Sequence, residues 1–205
     1  MARIILLILV LVAMGIVRAV RKRRAARVRE DIFYQITKAH DARARIKCLL
    51  YANVVDVNKK DKSGLTPLMR AADRDELDIV SYLIRAGADL NARDNSGGTV
   101  LFYSYGFHRG SLEMVQLLLR AGVDVNAADN EGNTVLMYAC NIGSVEMVQI
   151  LLEAGADVHR VDKQGRTALQ HIRTGKDEVY AGYELPFHPD DVKKMQDLLH
   201  QYGAE

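Results

Sequence analysis

Along most of the chain the apolar residues fall into short helical stripes separated by polar turns. Leu77, Val80, Leu83 and Ile84 make one stripe; Leu112, Val115, Leu118 and Leu119 make the next; Val145, Val148, Ile150, Leu151 and Leu152 make a third. Spacing by three and four residues gathers such side chains on one face of a helix. A shorter helical pattern precedes each stripe, with small residues such as Ala71 and Ala72 that let a neighbour approach closely. Ahead of each pair stands Asp-x-x-Gly, turn chemistry in which glycine takes a backbone conformation that a side chain would penalise. Thr66 is placed to cap a helix beginning at Pro67, where a missing N–H costs nothing. Gly87, Gly122 and Gly155 stand where the second helix needs a left-handed residue at its C-terminus.

These features recur at a fixed period. Asp61, Asp94, Asp129 and Asp162 are spaced by 33, 35 and 33 residues. Gly64, Gly97, Gly132 and Gly165 keep those intervals, as do Thr66, Thr99, Thr134 and Thr167. The two extra residues of the middle interval fall within Gly106 to Gly110, between the helical patterns, where an insertion disturbs least. Turn, short helix and longer helix at this period resemble the ankyrin repeat. Residues 61–160 hold three good copies. Upstream, Ile32 to Asn58 has both helical patterns and the closing Val-Asp-Val-Asn but no Asp-x-x-Gly turn. Downstream, the unit opening at Asp162 departs through Lys176 to Asp190 and completes a second helix from Asp191.

The resemblance spans residues 31–205 and implies an all-α fold: an ankyrin-type helical solenoid of about five helix-pair repeats with short β-turn tips. The units are 31–58, 59–91, 92–126, 127–159 and 160–205. Degenerate end units fit a stacked array, whose termini must cap the core. Inside the copies the family's Thr-Pro-Leu-His reads Thr-Pro-Leu-Met at 66–69, Thr-Val-Leu-Phe at 99–102, Thr-Val-Leu-Met at 134–137 and Thr-Ala-Leu-Gln at 167–170. Loss of that histidine predicts weaker bonding between turns and a less rigid array.

A different object precedes the repeats. Ile4 to Val17 is an unbroken run of apolar residues and one glycine, bracketed by Arg3 and Arg18. With Ala19 and Val20 it reaches about 25 Å as a helix, short of a hydrocarbon core of about 30 Å. Arginine stems at both ends can snorkel and narrow the gap. Being apolar on every face, the run lacks the amphipathic stripe of a core helix. It reads as a single N-terminal transmembrane helix over residues 1–20, followed by a basic juxtamembrane linker over 21–30 with affinity for anionic lipid. A cleaved signal peptide is the alternative, since such apolar regions run to about 7–15 residues. Positive charge stays cytoplasmic, so Arg18, Arg21, Lys22, Arg23, Arg24, Arg27 and Arg29 favour a single-pass anchor with the repeats in the cytoplasm. The periplasmic side is the alternative.

Charge divides the chain in the same place. The first 29 residues hold eight Lys/Arg and no acid, leaving 26 acids facing 20 bases in the body, a net charge of −6. That balance argues against nucleic acid as a partner, because phosphate binding needs a basic strip. The six histidines, His40, His108, His159, His171, His188 and His200, form no pair at ligand spacing. Cys48 and Cys140 read as buried, inert thiols. The sequence has no phosphate-cradling glycine loop, and Asp-x-x-Gly lacks the spaced oxygens of a calcium loop. No enzyme activity, cofactor, metal or small-molecule substrate is expected.

What remains is surface. In the family the tips and the outer side of the short helices form a concave strip that binds other proteins. The resemblance assigns to it the tip residues Lys62, Ser63, Leu65, Asn95, Ser96, Asn130, Glu131, Asn133, Lys163, Gln164 and Arg166. From the short helices and the insertion it assigns Asp73, Arg74, Tyr105, Phe107, His108, Arg109, Asn141, Ile142 and Arg173. The inserted Tyr-Gly-Phe-His-Arg sets aromatics beside Arg, residue types enriched in interface hot spots. The loop from Gly175 to Asp190, with Tyr180, Tyr183 and Phe187, has two readings: a functional loop, or a lid over the last helix pair. The chain thus reads as a membrane-anchored, protein-binding scaffold.

Overall fold

A computed structural model describes residues 56–104, 111–172 and 188–205. Its elements in chain order are α1 (Pro67–Asp73), α2 (Leu77–Arg85), α3 (Val100–Tyr103), α4 (Leu112–Arg120), α5 (Val135–Ile142), α6 (Val145–Glu153), a 3-10 turn (Leu169–His171) and α7 (Pro189–Gln201). Helix α1 packs on α2 and α3, α5 on α6 and the 3-10 turn, and α6 on α4 and α7. Short elements thus meet short elements, long helices meet long helices, and contact runs between consecutive units. This is the predicted all-α solenoid of stacked helix pairs. Among the described residues the only β pairing is an isolated antiparallel bridge between Ala128 and Thr134.

Each long helix buries the same register. Ile79, Met114, Met147 and Met195 are buried one above another, as are Leu83, Leu118, Leu151 and Leu199. The short helices contribute Leu68, Leu101 and Leu136, also fully buried. Burying such a side chain stabilises by about 1.5–3 kcal/mol. No unit can bury its own stripe without the next, so stacking is the source of the core. Leu77, Ile84, Leu112, Leu119, Val145 and Ile150, placed in the stripes by spacing, are only partly buried at their edges.

The helix ends follow the sequence closely. The Met69 N–H donates to Thr66 Oγ1 at 3.3 Å and starts α1 at Pro67. The long helices close at Gly87, Gly122 and Gly155 with φ of 82°, 90° and 88°. A fourth closure at Gly203, with the Ala204 N–H bonded to Leu199 O at 3.0 Å, identifies α7 as the outer helix of the last unit. That helix starts at Pro189, two residues earlier than the sequence suggested, because proline suits a first turn. Asp75 takes a left-handed conformation (φ 56°) at the place where Gly143 sits in a later unit. Aspartate tolerates that region. Its Oδ1 accepts the Ser111 hydroxyl of the next unit at 2.7 Å, and Ser111 Oγ in turn accepts the Met114 N–H to cap α4.

The predicted first unit (31–58) falls almost wholly outside the described residues, as do the insertion and most of the 175–190 loop. So do the predicted anchor and basic linker; among the described residues no helix is long and apolar enough to cross a membrane.

Candidate interaction surface

Each tip is built around one aspartate. Asp61 Oδ1 accepts the N–H groups of Ser63 and Leu65 at 2.8 and 3.0 Å, which folds the turn. Asp94 does the same for Ser96 and Gly98, Asp129 for Glu131 and Asn133, and Asp162 for Gln164 and Arg166. The second oxygen reaches back to the short helix, always to the residue nine positions on. Arg70 donates to Asp61 at 2.8 Å, Tyr103 to Asp94, and Tyr138 to Asp129 at 3.1 Å, while His171 Nε2 lies 3.0 Å from Asp162. One carboxylate therefore fixes both the turn and its angle to the helix.

The tips are then bonded into a ladder. The N–H of Asn95 donates to Ser63 O at 3.2 Å, that of Asn130 to Ser96 O at 2.8 Å, and that of Lys163 to Glu131 O at 2.9 Å. Side-chain amides reinforce it, Asn95 donating to Lys62 O and Asn130 to Asn95 O. Gly64 and Gly97 sit under these contacts: a Cβ on either would lie 2.7 Å from the next tip's backbone nitrogen. Farther along each unit, Asn58, Asn91 and Asn126 use Oδ1 to accept the N–H of Asp89, Asp124 and Asp157.

Electrostatics follow from this wiring. Burial alone would raise the Asp162 carboxyl, but two backbone N–H groups, Arg166 and His171 together hold it at about 2. Asp61 is likewise pushed up by burial and brought below its ordinary value by Arg70 and its turn N–H groups. Burial and the Asp94 carboxylate raise the Tyr103 phenol and keep it protonated. Burial pushes the Cys140 thiol up to about 12, so the sulfur is a packed, unreactive group. Among the described residues no cluster of His, Cys, Asp or Glu is arranged to hold a metal ion.

The predicted strip residues separate into several environments. Lys62, Ser63, Ser96, Gln164 and Arg74 are exposed, and Ile142 is an exposed apolar side chain at the end of α5 (36%). Asp73 and Asn141 are half-buried beside them. Asn95 and Asn130 are exposed but staple the ladder, Asn133 donates to Asp129, Arg166 is bound to Asp162, and Glu131 pairs with Lys163 at 3.4 Å. Leu65 requires a correction: it is only 7% exposed, because its tethered N–H turns the side chain into the core. Tyr105, Phe107, His108, Arg109 and Arg173 lie outside the described residues. Spacing arguments missed Arg70, Tyr103, Tyr138 and His171, whose common signal is a hydrogen-bond donor nine residues after each tip aspartate.

A family model of ankyrin repeats in three copies matches residues 35–129 and again 104–179. Alpha-latrocrustotoxin-Lt1a of Latrodectus tredecimguttatus is 46% identical over 48 residues, 23% of this chain and 3% of the toxin. Alpha-latroinsectotoxin-Lt1a of the same organism is 44% identical over 48 residues, again 23% of this chain and 3% of the toxin. Alpha-latrotoxin-Lg1a of Latrodectus geometricus is 32% identical over 62 residues, 30% of this chain and 4% of that protein. The aligned stretches are thus a small part of each of these relatives.

Proposed function

The chain belongs to the ankyrin repeat family, and on that premise we propose that it is a non-enzymatic scaffold that holds a partner protein close to a membrane. The observation that carries this reading is the bonded ladder of tips, which fixes Lys62, Ser63, Ser96 and Gln164 in one row. A row pre-ordered by backbone bonds loses little entropy on docking. Arg74 and Ile142, at the ends of the short helices, supply a cation and an apolar anchor. In sequence, Phe107 and Arg109 fall between them and carry hot-spot chemistry.

The membrane part of the proposal rests on the sequence. The apolar run from Ile4 to Val17 anchors the chain, the basic run after it binds anionic headgroups, and the repeats face the cytoplasm. A periplasm-facing array that supports or inhibits a partner enzyme is the second reading, favoured by the length of the apolar run, which suits a signal peptide.

Crosslinking in intact cells, followed by identification of captured proteins, tests the scaffold role. Changing Phe107 and Arg109 together to Ala is expected to weaken capture more than tenfold with thermal unfolding nearly unchanged. Undiminished capture removes that part of the strip. A reporter active only in the periplasm, fused after Glu205, is expected to be silent; strong activity favours the second reading.

A further inference from the structure

The four tips share one design, but the short helices that follow them do not. At 66–69 and 134–137 the cap is reciprocal: threonine Oγ1 accepts the methionine N–H at 3.3 and 3.4 Å, and the threonine N–H reaches the methionine sulfur at 3.4 Å. At 167–170 the Gln170 side-chain Oε1 accepts the Thr167 N–H at 2.9 Å. The unit opening at Asp94 has none of this. Residue 102 is Phe, which offers the Thr99 N–H no acceptor, and Thr99 Oγ1 is buried without a hydrogen bond. Helix α3 is a single turn of four residues, against seven in α1 and eight in α5. The buried Ser104 at its end bonds back to Leu101 O at 2.8 Å, an alternative to continuing the helix. Among the described residues α3 keeps two backbone bonds of its own, from the Phe102 and Ser104 N–H groups. It otherwise depends on burial of Val100 and Leu101, packing on α1, the Tyr103–Asp94 bond and the edge of the Phe102 ring against Tyr138 (centroids 5.5 Å apart).

We propose that α3 is the hinge of the solenoid: residues 99–104 open locally while the capped units on either side stay folded, so the two parts of the tip row can change their relative pitch. In a stacked array each unit touches only its neighbours, and the unit with the weakest internal bonding opens first. The buried, unbonded Thr99 hydroxyl sets the direction, because opening gives it water whereas opening Thr66 or Thr134 breaks a bond. A binding strip made of rigid ends and an adaptable middle can close on partners of more than one curvature.

Hydrogen exchange of the full chain in detergent micelles tests this. The bonded amides of Phe102 and Ser104 are expected to exchange at least tenfold faster than that of Tyr138, through an opening that low urea does not accelerate. Phe102→Met, which restores the residue used at 69 and 137, is expected to narrow that gap at least threefold. The reciprocal change Met137→Phe is expected to move fast exchange into α5, and it decides the matter if Phe102→Met does not fold. Equal protection of α3 and α5 in the native chain, or a gap that neither substitution moves, overturns the proposal.

Discussion

Replacing threonine by valine at equivalent caps should change stability in opposite directions. Thr66, Thr99 and Thr134 have the same place in their units, the same extended backbone and the same burial, at 1%, 1% and 2% exposure. Valine keeps the shape and removes the hydroxyl. At Thr134 this deletes the acceptor of the Met137 N–H, a loss of about 1 kcal/mol for a typical N-cap. At Thr99 the hydroxyl is buried and unbonded, and leaving such a group dry costs about 1–3 kcal/mol. Thr99→Val should therefore stabilise by about 1 kcal/mol, and the two variants should differ by about 2 kcal/mol. At about 2–4 °C per kcal/mol for a chain of this size, their melting temperatures should stand about 4–8 °C apart. Thermal and urea unfolding followed by far-ultraviolet circular dichroism measure it. If Thr99→Val destabilises as much as Thr134→Val, the Thr99 hydroxyl has a partner and the reasoning fails.

Gly97→Ala should be far more damaging than Gly165→Ala in urea unfolding. Both have positive φ, at about 1–2 kcal/mol for a side chain, but only at Gly97 does the Cβ strike the next tip, 2.7 Å from Asn130 N. Because the Asp162 carboxyl is held at about 2 against an ordinary 3.8, its stabilising effect is complete above that ordinary value and is lost as the pH falls through about 2. Urea titrations should accordingly show Asp162→Asn costing on the order of 2 kcal/mol at neutral pH, with the difference from the native chain shrinking towards pH 2. Cys140 should resist alkylation in the folded chain and react on unfolding, as mass spectrometry would show; rapid modification of the native thiol would contradict its burial.

Most of this architecture is legible in residue types that nothing else can replace. Gly64, Gly97 and Gly132 recur at fixed spacing because a Cβ would meet the next unit, and Gly165, Gly87, Gly122 and Gly155 recur because their φ is positive. Thr66 and Pro67 announce a helix start in the same way. The nine-residue clasp was not legible, because Arg70, Tyr103, Tyr138 and His171 share a donor and no chemical class. Leu65 misled for another reason: position in a turn suggests exposure, and only the bond from its N–H to Asp61 reveals that the side chain points inward. The missing histidine implied weaker bonding between turns, whereas backbone N–H groups of Asn95, Asn130 and Lys163 bond each tip to the one before it. Within the units, Met69, Met137 and the Gln170 side chain accept the cap N–H and Phe102 does not.

The nine-residue clasp also bears on how such a chain can evolve. An arginine, two tyrosines and a histidine satisfy the same carboxylate geometry, and all but the nearly buried histidine keep part of the side chain at the surface. Drift among donors at those sites would recolour the surface and leave the scaffold intact. New attachments could then arise there without first passing through a destabilised ancestor.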